Sequence, residues 1–239
     1  MSYRGSVTDS QPARLYLAAA PTSSASIPTL FRTDDARRIL ENPPFTRHQG
    51  FNLVTYERAL IDRGERLTVS SGRRKRLDLY RNGTFVAYAV FPDFLGWPRD
   101  AAQFVENPKV NSIALIEFIY DFTVAYEQIL DHVDPLPSAA SFVVGIRGAE
   151  LATGNRLYMA PHGVGTLGFE VPYEKYLAPD SEVDLNVEVQ ISEEKPHYAA
   201  GAVAYQVTER LYNWFGLQSD AIPYVAEGAM EIDPDAIRG

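Results

Sequence analysis

The chain contains no cysteine and only four histidines, three methionines and two tryptophans among its 239 residues. Without thiols it has neither a disulfide framework nor a thiolate metal site, and a reducing cytosol is the expected compartment. His48, His132, His162 and His197 are too widely spaced for a helical metal pair, and no H-E-x-x-H occurs. They are expected at the surface or at caps. No apolar run approaches the roughly 20 residues of a membrane-crossing helix. Leu15-Tyr16-Leu17-Ala18-Ala19-Ala20 imitates a signal-peptide core, but it is short and follows Asp9 and Pro12 rather than positive charge. It reads as a first strand.

Catalytic spacings are also missing. There is no G-x-S-x-G elbow for a serine hydrolase and no G-x-x-x-x-G-K-[ST] loop for a nucleotide engine. Gly163-Val164-Gly165-Thr166-Leu167-Gly168 has the letters of a dinucleotide loop. Yet Met159-Ala160-Pro161-His162 before it and Phe169-Glu170-Val171-Pro172 after it are not the strand and helix start that such a loop requires. A surface loop is expected there, and no cofactor.

What remains is a globular composition, 46% hydrophobic and 22% charged, in a chain long enough to bury roughly 70–75% of its unfolded surface. The expected organisation is a flexible N-terminus over 1–12 and a single domain over 13–216, with a sub-boundary at 92–110. An acidic C-terminal tail over 217–239 would follow.

The strongest helical signal lies at 111–133. On a 100° wheel Leu115, Phe118, Ile119, Phe122, Tyr126, Ile129, Leu130 and Val133 share one arc. Glu117, Asp121, Glu127 and Asp131 gather opposite and read as a solvated face. Residues 141–146 then read as a strand buried on both faces. Residues 182–191 alternate, with Val183, Leu185, Val187, Val189 and Ile191 on one side. A second long helix is predicted over 197–215, stopped by Gly216. Thr33 is the expected cap of a short helix ending at Pro43-Pro44. Residues 51–59 are β-prone, 65–70 pairs with 75–81, and Asn82-Gly83 predicts a type I′ turn into 84–91. These elements make an α+β fold: a mostly antiparallel twisted sheet with two long amphipathic helices packed on it.

Net charge is −9 but uneven: residues 63–81 carry seven basic groups against two acids, leaving −14 on the remainder. Arg73, Arg74, Lys75 and Arg76 on a hairpin tip, with Arg81 nearby, are the candidate phosphate or nucleic-acid contacts. Tyr80 and Phe85 are close enough in sequence to stack. Serine at all four tip positions is expected to leave stability nearly unchanged, because exposed charges contribute little to folding.

An opening strand at Arg14-Leu15-Tyr16-Leu17 is followed by the His48-Gln49-Gly50-Phe51-Asn52-Leu53 element and a meander with Arg81-Asn82-Gly83. The 111–133 helix, the strand ending Gly145-Ile146-Arg147-Gly148, and the helix ending Leu211-Tyr212-Asn213-Trp214-Phe215-Gly216 complete the order. This order resembles the C-terminal region that follows the Schlafen-like (AlbA-type) putative DNA-binding domain of bacterial proteins. The resemblance implies an accessory domain without its AlbA-type partner, and no catalytic residues.

The expectation is therefore a cytoplasmic, non-catalytic recognition or assembly domain of bacterial type. Its partner would be a protein or a second copy, with weak nucleic-acid contact through the basic hairpin and no membrane. The alternative is a hydrolase or nuclease whose carboxylate metal site assembles from distant acids such as Asp121 and Asp184.

Overall fold

The computed structural model describes residues 13–47, 51–71, 75–90, 109–150, 154–159 and 176–238. Seven antiparallel strands form one sheet in the order β2-β3-β4-β5-β1-β6-β7. They are β1 Arg14–Pro21, β2 Leu60–Asp62, β3 Arg66–Ser71, β4 Lys75–Tyr80, β5 Phe85–Val90, β6 Ala139–Arg147 and β7 Glu182–Gln190. The helices are α1 Asp35–Glu41, α2 Ser112–Leu130, α3 Ala200–Trp214 and α4 Pro234–Arg238. The fold is α+β, and among the described residues no helix is long and apolar enough to cross a membrane.

Helix α2 is the centre of the molecule. Asn111 caps it by accepting the Ala114 N–H, and the whole apolar arc read from the sequence is buried. Phe122 stacks on Phe85 of β5 at 4.9 Å, and Tyr126 meets Phe142 of β6 edge-on at 5.3 Å. Helix α3 lies beside α2 on the same face of the sheet, over β6 and β7. Gly216 ends it at φ 78°, and Leu217 N–H reaches back to the Tyr212 carbonyl. Helix α1 completes this layer against β3 and α2.

Several expectations change. The acids Glu117 and Asp121 are each 2% exposed rather than solvated, because Thr46 and Arg47 close over that side of α2. Residues 51–59 form no strand: Asn52 accepts the Val54 N–H in a local turn and Tyr56 sits at φ 59°. In the β4–β5 loop only Gly83 has positive φ. Its N–H bonds to the Tyr80 carbonyl and Thr84 accepts from Tyr80, giving a three-residue loop rather than type I′. Helix α1 starts after Asp34 without a side-chain cap, so Thr33 is not its cap. The acidic stretch after 216 packs on the domain, since Leu217, Ile222, Ile232 and Ile237 all join the core. The 92–108 part of the proposed sub-boundary and the glycine run at 163–168 lie outside the described residues.

Strand β6 is buried on one face only. Ala140, Phe142, Val144 and Ile146 face the helices; Ser141, Val143 and Arg147 are half-exposed on the outer face. Gly145 is buried there because the Tyr16 ring lies across it, with no room for a side chain: an added Cβ would fall 2.2 Å from Tyr16 Cε1. Gly145→Ala is expected to expel that ring and cost about 1–2 kcal/mol, whereas the same change in a Tyr16→Ala background costs nearly nothing. Thermal denaturation of the four proteins checks this; equal losses in both backgrounds would refute the contact.

Candidate functional site

Strand parity divides the basic hairpin. Lys75 and Arg76 are adjacent on β4, so their side chains leave opposite faces of the sheet. Lys75 turns to the helix side, where its ammonium donates to the Asn52 and Val54 carbonyls at 2.7 and 3.1 Å and lies 5.4 Å from the Phe51 ring. It pins the 51–54 segment. Arg76 turns to the outer face and holds Asp78, which is fully buried, through contacts of 2.9 Å to Oδ1 and 2.7 Å to Oδ2. Thr68 donates to the same carboxylate at 2.7 Å, and Arg66 lies 3.8 Å away while binding Asp62. Arg81 is at the far end of β4, about 20 Å along the strand from Lys75, with its guanidinium 4.8 Å above the Phe31 ring. Arg73 and Arg74 lie outside the described residues. Lys75, Arg76 and Arg81 thus do not form one patch. Of the expected stacking partners, Tyr80 is on the outer face accepting from Arg66, and Phe85 is in the core.

The outer face gathers residues that sequence reasoning missed. Cross-strand pairing aligns Asp184, Gly145, Tyr16, Tyr88, Arg76 and Ser70 in a row across six strands. Arg76 lies 5.7 Å over Tyr88, Arg147 lies 5.1 Å over Tyr16, and the two tyrosine rings are 6.4 Å apart. Arg147 also binds Asp184 at 2.7 Å and Glu182 at 3.3 Å, and the Tyr16 hydroxyl donates to Asp184. The result is a strip of tyrosines bracketed by guanidiniums, each already matched by carboxylate. Among the described residues no helix covers it, and Tyr88 is 38% exposed. A sequence signal existed: in β1 and β5, Tyr16 and Tyr88 occupy the parity opposite to the small and apolar residues that fill the core.

Asp121 and Asp184 are not brought together. Asp184 stands on the outer face, while Asp121 lies in the helical layer on the other side of the sheet. Asp121 Oδ1 accepts from the backbone N–H and hydroxyl of Thr46, at 2.8 and 2.6 Å; Oδ2 is buried with no hydrogen-bond partner. Burial pushes this carboxyl up to about 7 despite the Thr46 bonds, and Glu117 one turn away adds to the rise while Lys75 opposes it. Burial also raises Glu117, although Arg47 Nη2 lies 2.6 Å from its Oε1. Among the described residues no three His, Asp or Glu side chains gather as a metal site. His197 is buried before α3, between the Ser192 carbonyl and Asp131 Oδ1 at 2.9 and 3.1 Å.

A cavity of about 430 Å³ is lined by Glu41, Pro43, Phe45, Val54, Tyr56 and Glu57 among others, the last of them in the segment that leads into β2. No family model, curated protein or solved structure matches the chain. The Schlafen-associated resemblance therefore rests on the order of elements.

Two outcomes follow from these geometries. Arg76→Ser removes the closest cation from a fully buried carboxylate and is expected to cost about 1–3 kcal/mol, correcting the expectation that the tip cations are dispensable for stability. Asp78→Asn should recover part of that loss in the double variant; urea titration of the three variants decides, and strict additivity would contradict the pairing. Asp121 holds a proton that the unfolded chain releases at lower pH. Stability therefore falls as pH rises from the unfolded Asp value of 3.8 through about 7. Melting temperatures at pH 5 and pH 8 should show that fall in the parent and a smaller one in Asp121→Asn; identical slopes would rule the assignment out.

Proposed function

We propose that this chain is a non-catalytic recognition and assembly domain that binds a protein partner, a second copy included, through the outer face of its sheet. The observation that supports it best is the Arg76–Tyr88–Tyr16–Arg147 strip. Tyrosine and arginine dominate the residues that carry binding energy in protein interfaces, because they combine large rigid area with directional polar ends. The rings here are held in place before any partner arrives, so little side-chain entropy remains to be lost.

Charge favours a protein over a polyanion. Arg66, Arg76 and Arg147 each have a carboxylate partner at or below 3 Å, and the chain as a whole carries −9. A phosphate backbone would compete with these carboxylates and meet general repulsion. Contact with nucleic acid through the β3–β4 hairpin remains part of the reading as a weak, salt-sensitive contribution.

Sedimentation equilibrium and native mass spectrometry of the purified chain, alone and with an affinity-captured partner, test the proposal. Tyr88→Ala combined with Tyr16→Ala should weaken the dimer or complex by at least tenfold, since each buried aromatic contributes about 1–2 kcal/mol or more. A parent that stays monomeric and captures nothing, or an association indifferent to both tyrosines, would sink it. For nucleic acid, the log–log salt slope should be no steeper than about −2, because each contacted phosphate contributes about −0.7 to −0.9.

A further inference from the structure

The segment Tyr56-Glu57-Arg58 differs from the rest of the described surface. Tyr56 is 90% exposed and held at φ 59°, a region that bulky side chains rarely occupy. Its ring packs on no other ring and its hydroxyl makes no hydrogen bond; Glu57 and Arg58 are exposed and make no ion pair within 4.0 Å among the described residues. The outer-face arginines, by contrast, are tied to acids. All three of these residues line the cavity of about 430 Å³, a size within the range of small-ligand sites.

The rest of the lining explains what chemistry the cavity favours. Pro43, Phe45 and Val54 supply apolar surface, and Asn42 and Asn52 are the neutral polar residues. Glu41 brings a second carboxylate, one oxygen of which accepts the Ala59 N–H at 2.9 Å. Two carboxylates against one guanidinium, with Phe45 and Tyr56 in the lining, suit a cation whose charge faces acids and whose stem lies on aromatic and aliphatic surface.

The chain continues from the cavity directly into β2, the last strand of the sheet at this end. Leu60 is 67% and Ile61 52% exposed. Ile61 pairs with Leu67, a core residue, and so belongs to the helix side of the sheet where the cavity also lies. The one charge on this strand, Asp62, is already matched by Arg66, and a strand edge with exposed apolar residues is a template for another extended chain.

We propose that the β2 edge and the adjoining cavity form a peptide-binding site. The ligand is an extended segment that adds to β2 and inserts a lysine or arginine side chain, flanked by apolar residues, between Phe45, Tyr56, Glu41 and Glu57. The site is separate from the outer-face strip and stands or falls independently of it.

The probe is the synthetic peptide acetyl-Thr-Val-Lys-Val-Thr-amide, with versions carrying norleucine or glutamate in place of lysine. Binding is read by amide chemical-shift changes of the full chain. The lysine peptide should bind at least tenfold more tightly than the norleucine one, the glutamate peptide should be weakest, and shifts should concentrate in residues 41–62. Tyr56→Gly relieves the backbone and should hold or raise the melting temperature while weakening the lysine peptide at least fivefold. Glu57→Gln should weaken the lysine peptide and leave the norleucine one unchanged. Equal affinity for lysine and norleucine, preference for glutamate, shifts confined to other regions, or no binding at millimolar peptide would each overturn the proposal.

Discussion

Helix α2 is apolar over so much of its circumference that it has to be enclosed, and most of the architecture follows from enclosing it. Phe122 and Tyr126 reach the sheet, and α3 covers a flank: Thr123 of α2 donates to the Ala200 carbonyl at 3.1 Å. The remaining side carries Glu117 and Asp121, which cannot be buried without partners. Arg47, Thr46 and Lys75 supply them. Residues 43–47 and 51–55 are irregular for that reason: their backbone and side chains are used to satisfy a helix rather than to extend the sheet.

Much of this was legible from periodicity, and the failures have one origin. Alternation located β7, the 3.6-residue period located α2, and glycine chemistry located the end of α3. Each of these signals is a property of the element alone. Residues 51–59 have strand composition, yet Asn52 and Lys75 hold them in a turn. The acids of α2 look solvated on a wheel because a wheel contains no loop to bury them. Burial of a polar group by a segment 70 residues away has no local trace.

The same limit applies to the candidate site. A run of adjacent basic residues suggested one patch, but strand parity sends neighbours to opposite faces and β4 is long enough to separate Arg81 from the tip. Conversely, Tyr16, Tyr88 and Arg147 come from three separate parts of the chain. Only the pairing of β1 with both β5 and β6 brings them together on one face. Electrostatics then decides the character of the surface, because a guanidinium already facing a carboxylate presents its planar face more than its charge.

That central position of β1 also bears on how the molecule is made. Ala18 pairs with Val86 on one side and with Val143 on the other, so β1 joins the β2–β5 meander to the β6–β7 ribbon. Neither half has its full complement of backbone bonds until residues far apart in the chain have met. Loop closure on that scale makes folding slow relative to helical proteins of similar length. In chain order the apolar inner face of β1 precedes both of the strands that flank it, so its neighbours in the sheet are among the last contacts to be completed.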